Sequence, residues 1–422
     1  PEANVADVVI PSEDGATAFV FDEKGRHLRT VETLTGTTTI SFGYDASGRL
    51  ISATDADGNE VKIARDASGH ATTVTAPFGQ TTKLTYDGAG YLASLSDPLE
   101  RTTSLTYDTG GLLTKLVDPR QGVHTMSYDA AGLLAKDAGP AGASWSFGRK
   151  EDASGYAVTV TTTAGVQRTH RGAATGPGEE ERSVEHADGT TTAWKKNDEG
   201  RETTLGDGTV TKTELAADDR FGTLTPYATK ATSSLPSGLT RVVEHTRQVT
   251  ETVANPLALA SLEETSTEEG DTFTRSYDGV TRTWTMKSPE GRTARLTVDD
   301  HGRPVETKVP EVLPATLTYD ARGRLGSLKQ GDRSLAYTYD AASGYLAAIT
   351  DAASRKILYQ RDAAARPTTI TAPDDAKLTL AFDAHDNVTS VTPPGKSAHA
   401  FVYTPDDHES AYTPPKSRAT TT

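Results

Sequence analysis

Residues 84–92 of the 422-residue chain are Leu-Thr-Tyr-Asp-Gly-Ala-Gly-Tyr-Leu, residues 105–113 are Leu-Thr-Tyr-Asp-Thr-Gly-Gly-Leu-Leu, and residues 126–134 are Met-Ser-Tyr-Asp-Ala-Ala-Gly-Leu-Leu. Their Tyr-Asp pairs lie 21 residues apart, and Asp45 and Asp66 extend the same spacing toward the N-terminus. A fixed period with the same turn residues in every copy is typical of repeat proteins, in which each unit contacts mainly its neighbours. The chain is therefore better described by its repeats than by a number of globular domains.

Each repeat is predicted to contain two turns. The Asp-x-x-Gly sequence, as in 45–48, has the residue preferences of a type I turn, with glycine where a left-handed backbone is needed. Halfway through the unit come Asp-Pro pairs such as 97–98 and 118–119, or the Asp-Ala-Asp-Gly-Asn sequence of 55–59. Proline directly after aspartate fixes the backbone for the second turn position. Two strands and two turns per unit are expected.

The segment before each Tyr-Asp alternates between apolar and polar residues. Thr82, Leu84 and Tyr86 would share one face of a strand, with Lys83 on the other. After the turn glycine the pattern changes, because Leu92 and Leu95 are three residues apart, and this predicts either a β-bulge or a strand with contacts on both faces. The best helical stripe, residues 257–264, is short. The predicted fold is all-β, a long antiparallel sheet of repeated hairpins of about 21 residues.

The repeat density divides the chain into four predicted parts. Residues 1–20 are a lead-in, 21–144 are repeats, 145–271 are divergent β repeats with acidic loops, and 272–422 are repeats with a proline-rich end. The acidic clusters at 179–181, 263–264 and 268–269, near the turn-forming sequences 176–178 and 255–256, are expected to be solvated loops or insertions between strands.

Composition limits the possible functions. Hydrophobic residues make up 35% of the chain and the mean hydropathy is −0.50, which favours thin sheets over a thick enzyme core. A net charge of −15 disfavours binding to nucleic acid, which requires cations that neutralise phosphates. No apolar run approaches the roughly 18 residues of a membrane span. Cysteine is absent, which excludes disulfides and suits an exported protein. We expect the sequence to be a segment of a longer polypeptide.

The repeated units resemble the YD repeats of the RHS family of bacterial polymorphic toxins, which are shared with the C components of insecticidal Tc toxins and with teneurins. The resemblance covers residues 21–138 and 272–410 well, and the middle more weakly. It implies that the sheet spirals into a hollow shell, or an open part of one, that encloses a C-terminal toxin or effector domain of the same polypeptide. The family's downstream self-cleavage site is not carried over, because Asp118-Pro119 lies within an ordinary repeat and has a different spacing.

No catalytic, cofactor-binding or metal-binding residues are predicted. Residues 55–60 resemble part of a calcium loop, but the glycine comes too early for an EF-hand. His70, His124, His301 and His385 occupy ordinary repeat positions and form no i, i+4 ligand pair. The alternative function for the tyrosines is a sugar-binding strip, but their alternation with leucine and isoleucine favours packing. No nucleophile elbow or phosphate-binding loop is present.

These observations favour the structural wall of an encapsulating shell. The alternatives are a cell-surface adhesion or glycan-binding module and, more distantly, a hydrolase of envelope polysaccharide. The expected partners are the enclosed domain and a component of a secretion machine, in an exported or cell-surface bacterial protein. The residues expected to define the structural repeat are Tyr44, Asp45, Gly48, Tyr86, Asp87, Gly90, Tyr107, Asp108, Gly111, Tyr128, Asp129, Gly132, Tyr277, Asp278, Tyr319, Asp320, Gly323, Tyr339, Asp340 and Gly344.

Overall fold

A computed structural model describes residues 7–153, 155–252, 255 and 257–415, with the backbone alone at Asp152. The predictions for residues 1–6, Pro256 and residues 416–422 concern positions outside the described residues. Within the described ranges every regular element is a β-strand, which confirms the all-β prediction. Residues 257–264, the best candidate for a helical stripe, contribute to a strand instead.

The strands follow the chain in short, evenly spaced runs. They are β1 (Val8–Pro11), β2 (Thr17–Phe21), β3 (His27–Glu32), β4 (Thr37–Tyr44), β5 (Leu50–Asp55), β6 (Glu60–Arg65), β7 (Ala71–Thr75), β8 (Thr81–Tyr86), β9 (Leu92–Ser96), β10 (Thr102–Tyr107), β11 (Leu113–Val117), β12 (Val123–Tyr128), β13 (Leu134–Ala138), β14 (Ser144–Asp152), β15 (Gly155–Thr162), β16 (Gln167–Gly176), β17 (Glu179–Glu185), β18 (Thr191–Asn197), β19 (Gly200–Thr204), β20 (Val210–Asp218), β21 (Gly222–Ser234), β22 (Thr240–Glu251), β23 (Leu259–Glu268), β24 (Asp271–Asp278), β25 (Thr283–Lys287), β26 (Thr293–Val298), β27 (Pro304–Lys308), β28 (Ala315–Tyr319), β29 (Leu325–Gln330), β30 (Arg333–Tyr339), β31 (Leu346–Asp351), β32 (Lys356–Arg361), β33 (Pro367–Thr371), β34 (Lys377–Phe382), β35 (Val388–Thr392), β36 (His399–Tyr403) and β37 (Glu409–Thr413).

The chain divides into two compact units. Unit 1 comprises Pro1–Asn59 and Phe147–Gly323, and unit 2 comprises Glu60–Ser146 and Arg324–Thr422. Each unit thus contains an earlier and a later run of strands. Within a run, neighbouring strands in the sequence pair antiparallel, as β8 with β9 and β9 with β10 in unit 2. Two strands therefore occupy each repeat, as the two turns predicted.

A β-bulge lies beside the Tyr-Asp end of the repeats. Thr85 pairs with Ser94 and Tyr86 with Leu92, so that Ala93 is an extra residue in its strand. The same shift occurs at Tyr107, which pairs with Leu113 and leaves Thr114 extra. One extra residue reverses the side-chain alternation, and this brings Leu92 and Leu95 to one face. The bulge predicted from their spacing is confirmed.

Burial alternates along the strands before each Tyr-Asp. In β8, Leu84 and Tyr86 are half-buried while Lys83 and Thr85 are exposed. Fully buried apolar side chains are concentrated in unit 1, in one cluster of Leu259, Leu262, Tyr277 and Val298 and another of Ala18, Val20 and Val31. Among the described residues of unit 2, Ala348 is the one buried hydrophobic residue. Most repeats are therefore held by half-buried contacts across a single layer.

The prediction that the acidic clusters form loops is wrong. Residues 179–181 lie in β17, and 263, 264 and 268 lie in β23, with only Glu269 in a turn. Each cluster faces basic residues on a neighbouring strand. Glu181 pairs with Lys195 at 2.7 Å, and Glu264 lies between Arg247 at 2.8 Å and Arg275. Opposite charges on paired strands offset the repulsion between neighbouring acidic residues. This attraction is not visible when one stretch of sequence is considered alone.

Candidate functional site

The polar contacts that recur from repeat to repeat are concentrated at the bulge and the Asp turn. The hydroxyl of Tyr86 donates to the carbonyl of Ala71 at 3.0 Å, and that of Tyr128 donates to the carbonyl of Leu113 at 2.8 Å. Both acceptors are bulge residues of the preceding hairpin. The same contact is made by Tyr44 to His27, Tyr319 to Pro304, Tyr339 to Leu325 and Tyr403 to Val388, at 2.8–3.0 Å.

An arginine replaces tyrosine in one repeat and preserves this contact. Arg361 donates from Nε to the carbonyl of Leu346 at 3.3 Å, and Leu346 pairs with Tyr339 at a bulge. The opposite carbonyl of the bulge has its own donor, since the hydroxyl of Thr114 bonds the Thr106 carbonyl at 3.2 Å. A bulge interrupts the backbone hydrogen bonds between two strands, and the partly buried carbonyls there need other donors. We call the tyrosine contacts the hydroxyl ladder.

Two predicted tyrosines differ from the others. The Tyr107 hydroxyl has no hydrogen bond within the described part of the chain, and its ring packs against Tyr91 at 5.1 Å between centroids. Tyr277 is 2% exposed and packs on Trp284 and Leu262 in the buried cluster of unit 1. Burial raises the pKa of Tyr277 to about 12. These two side chains act through their rings.

The Asp of each turn binds the turn's own backbone. Asp45 Oδ1 accepts from the amides of Ser47 and Arg49, both at 2.9 Å, and Oδ2 accepts from Arg49 Nε at 2.8 Å. Each of the other predicted aspartates also accepts a hydrogen bond from at least one backbone amide of its turn. These are Asp87, Asp108, Asp129, Asp278, Asp320 and Asp340. These carboxylates are occupied as acceptors that fix the turn.

The predicted turn glycines have a left-handed backbone. Their φ angles are 78° at Gly48, 89° at Gly90, 85° at Gly111, 78° at Gly132, 73° at Gly323 and 74° at Gly344. Side chains also pack against these positions. A Cβ on Gly111 would lie 2.5 Å from the Tyr91 hydroxyl, and one on Gly323 would collide with Asp57. Glycine is therefore required both by conformation and by close packing.

Within each unit, halfway turns of the earlier run contact Asp turns of the later run. In unit 1, Arg303 Nη1 lies 2.9 Å from Asp57 Oδ1, and Asn59 Nδ2 donates to the Arg322 carbonyl at 3.1 Å. In unit 2, Gln80 donates to the Ser343 carbonyl at 2.7 Å. Asn59 and Arg322 are 263 residues apart in the sequence, and so are Gln80 and Ser343. We call these contacts the turn seam of each unit.

The seam of unit 2 is rich in charge. Arg101 pairs with Asp97 in its own turn and, through Nη1, with Asp386 at 2.6 Å. Arg120 Nη1 lies 2.8 Å from Asp407 Oδ1. The His385 ring lies between two carboxylates, with Nε2 3.1 Å from Asp118 and Nδ1 3.1 Å from Asp407. The seam thus joins distant repeats through ion pairs and hydrogen bonds, and nothing in the local sequence pattern indicated these partners.

One group of possible metal ligands occurs among the described residues. Ligand atoms of Asp299, Asp300 and His301 lie within 4.8 Å of one another. Asp299 already accepts from the amides of His301 and Arg303, and its Oδ2 pairs with Arg303 Nε at 2.8 Å. A cation would compete with the guanidinium of Arg303. The calcium-like residues 55–59 form an ordinary turn in which Asp57 pairs with Arg303.

These features define a repeat protein made of hairpins that are linked by hydroxyl contacts and by turn-to-turn contacts. The family model of the teneurin YD-shell matches residues 6–417, and the chain belongs to this family. No curated protein matches the chain. No helix that is long and apolar enough to cross a membrane is found in the described residues.

Similar solved structures come from Tc toxins. They include TcdB2-TccC3-TEV (11% identity, 94% of this chain, 34% of that chain, TM-score 0.30), a mutant Tc holotoxin pore of Photorhabdus luminescens (13%, 96%, 24%, 0.36) and TcdB2-TccC3 without its hypervariable C-terminal region (13%, 99%, 24%, 0.38). The chain spans about a third or less of the length of these proteins.

Removing one hydroxyl of the ladder tests its energetic role. Tyr128→Phe should lower the free energy of unfolding by about 1 kcal/mol, since the half-buried Leu113 carbonyl loses its donor. Tyr107→Phe is the matched control, and its cost should stay below about 0.5 kcal/mol because its hydroxyl has no such bond. Urea denaturation followed by circular dichroism measures both. Equal costs for the two variants would contradict the ladder.

Acid should destabilise the turns. The Arg49 amide lowers the pKa of Asp45, the Thr281 amide lowers that of Asp278, and the Ser343 hydroxyl lowers that of Asp340. A depressed folded-state pKa stabilises the protein above the unfolded value of 3.8, and this contribution is lost as the pH falls through the folded-state pKa. The urea concentration at the midpoint of unfolding should therefore decrease as the pH falls below about 4. High salt should not abolish this decrease, although it screens repulsion between the positive charges of the acidified protein. A constant midpoint from about pH 5 to 2.5 would contradict this assignment.

Proposed function

We propose that this chain is the structural wall of a YD-repeat shell that encloses a toxin or effector domain of the same longer polypeptide until delivery. The observation that carries the proposal is membership of the YD-shell family across residues 6–417. The tyrosine, aspartate and glycine residues of the repeats are proposed to build the wall, and the four-part division of the chain is proposed as a description of its repeat density.

The contacts in each unit support a wall. The hydroxyl ladder links several hairpins to the ones before them, and the turn seam links hairpins that are far apart in the sequence. A single-layer sheet without such links would bend easily and expose its edges. With them, adjacent rows of turns are held together by several charged hydrogen bonds, which are stronger than neutral ones.

The proposal assigns no catalysis to this segment. A general acid or base needs a carboxyl or imidazole group that is free to exchange a proton with a substrate. The turn carboxylates are instead occupied by two or more donors, as in Asp45 and Asp299. The partners would be the enclosed domain and a component of a toxin or secretion assembly, and the location would be outside the producing cell or at its surface.

Protease protection of the full polypeptide tests enclosure. The proposed cargo domain should resist trypsin while the wall is intact, and should be cut rapidly when Arg101→Gln and Arg120→Gln remove the charged links of the seam. Arg355→Gln is the matched control, because Arg355 is 70% exposed and pairs with Asp351 of its own turn. Cleavage of the cargo at the same rate in the wild type and as a free domain would contradict enclosure. Retention on glycan arrays together with that result would favour adhesion.

A further inference from the structure

A groove on unit 1 combines exposed apolar side chains with cations. It has a volume of about 680 Å³ and lies across β22–β26 on the face that carries Tyr277. Phe273, Met286 and Val309 line it, and they are 52%, 40% and 42% exposed. Large apolar side chains grouped in a concave surface are typical of interaction sites rather than of ordinary sheet surface.

The strand register arranges the groove in rows. Arg247, Glu264 and Arg275 are direct cross-strand neighbours, and Met286 and Ala294 continue this row on β25 and β26. The adjacent row contains His245, Ser266 and Phe273. An occupant that covers Phe273 and Met286 would therefore meet the guanidinium of Arg275 directly beside them.

The groove carries an excess of positive charge in a strongly acidic chain. Its lining includes Arg247, Arg275 and Arg292 but a single carboxylate, Glu264. The net charge of the whole chain is −15. Cations gathered beside apolar side chains against this background indicate an occupant that is both acidic and apolar.

Carboxylates beneath the groove offset the charge of the buried arginines. Asp218 is fully buried and lies 3.2 Å from Arg247 Nη1 and 3.6 Å from Arg220 Nε. Glu251 also acts electrostatically on Arg220, and Asp14 on Arg247. The cations that an occupant meets are therefore the exposed guanidiniums of Arg275 and Arg292.

We infer that this groove binds an extended polypeptide segment that presents acidic and aromatic or aliphatic side chains on the same face, two residues apart. The groove is open along the sheet face, whereas sites for small molecules enclose most of their ligand. An open groove lets a chain continue past both ends. Guanidiniums bind carboxylates through paired N–H donors, and this selects an acidic segment over a basic one. The inference goes beyond the wall function, which would stand if no peptide bound.

Fluorescence anisotropy tests the groove with a labelled octapeptide in which phenylalanine and glutamate occupy alternate odd positions and serine every even position, so that both lie on one face of the extended chain. We expect this probe to bind at least tenfold more tightly than versions with lysine for glutamate or serine for phenylalanine, and to weaken as salt is raised. Phe273→Ser and Arg275→Gln should each weaken binding about tenfold. Leu239→Ser and Arg171→Gln, which change an exposed leucine and an exposed ion pair outside the groove, should leave it unchanged.

Several outcomes would overturn the inference. They are equal binding of the acidic and basic probes, no binding of either, and equal effects of groove and control variants. Met286→Thr provides a second groove variant if circular dichroism shows that Phe273→Ser does not fold. Sedimentation that reveals dimers of the wild type, dispersed by Phe273→Ser, would assign the groove to a second copy of this chain instead.

Discussion

The hydrogen bond from a repeat tyrosine to a bulge carbonyl is the interaction on which the rest of this structure depends. The bulge turns Leu92 and Leu95 toward the same face, which gives each repeat enough apolar contact to fold. It also disrupts the ladder of backbone bonds at that point. The hydroxyl of the next repeat reaches back to such a carbonyl, as Tyr128 does to Leu113. A hairpin that carries such a tyrosine thereby completes the hydrogen bonding of the one before it.

This dependence explains how a chain with few buried residues holds its shape. Outside the clusters around Tyr277 and Val20, the repeats of this single layer keep mostly half-buried side chains. The stabilisation is distributed among neighbouring units, as in other repeat proteins. The Asp turns fix the hairpin ends, and the seam contacts connect the rows of turns within each unit. Arg361 shows that the requirement is for a donor at this position and not for tyrosine as such.

The sequence predicted the features that depend on local patterns. Spacing and alternation gave the strands, the Asp turns and the bulge at Leu92, because these follow from a few adjacent residues. It did not predict the hydroxyl contacts, since tyrosine in an apolar pattern also fits simple packing. The seam was not predictable because its partners lie 263 residues apart at Gln80 and Ser343. The acidic strands were mistaken for loops because their charge partners, such as Arg247 and Lys195, lie on other strands.

Hydrogen–deuterium exchange of Tyr128→Phe tests the dependence of one hairpin on the next most directly. Amides open locally in cooperative segments, so that exchange reports which strands lose protection. If the ladder links neighbouring repeats, exchange should accelerate in residues 113–138, which form β11–β13, and remain unchanged in the later run of unit 2. Unchanged exchange in residues 113–138, or a uniform acceleration throughout unit 2, would contradict the account.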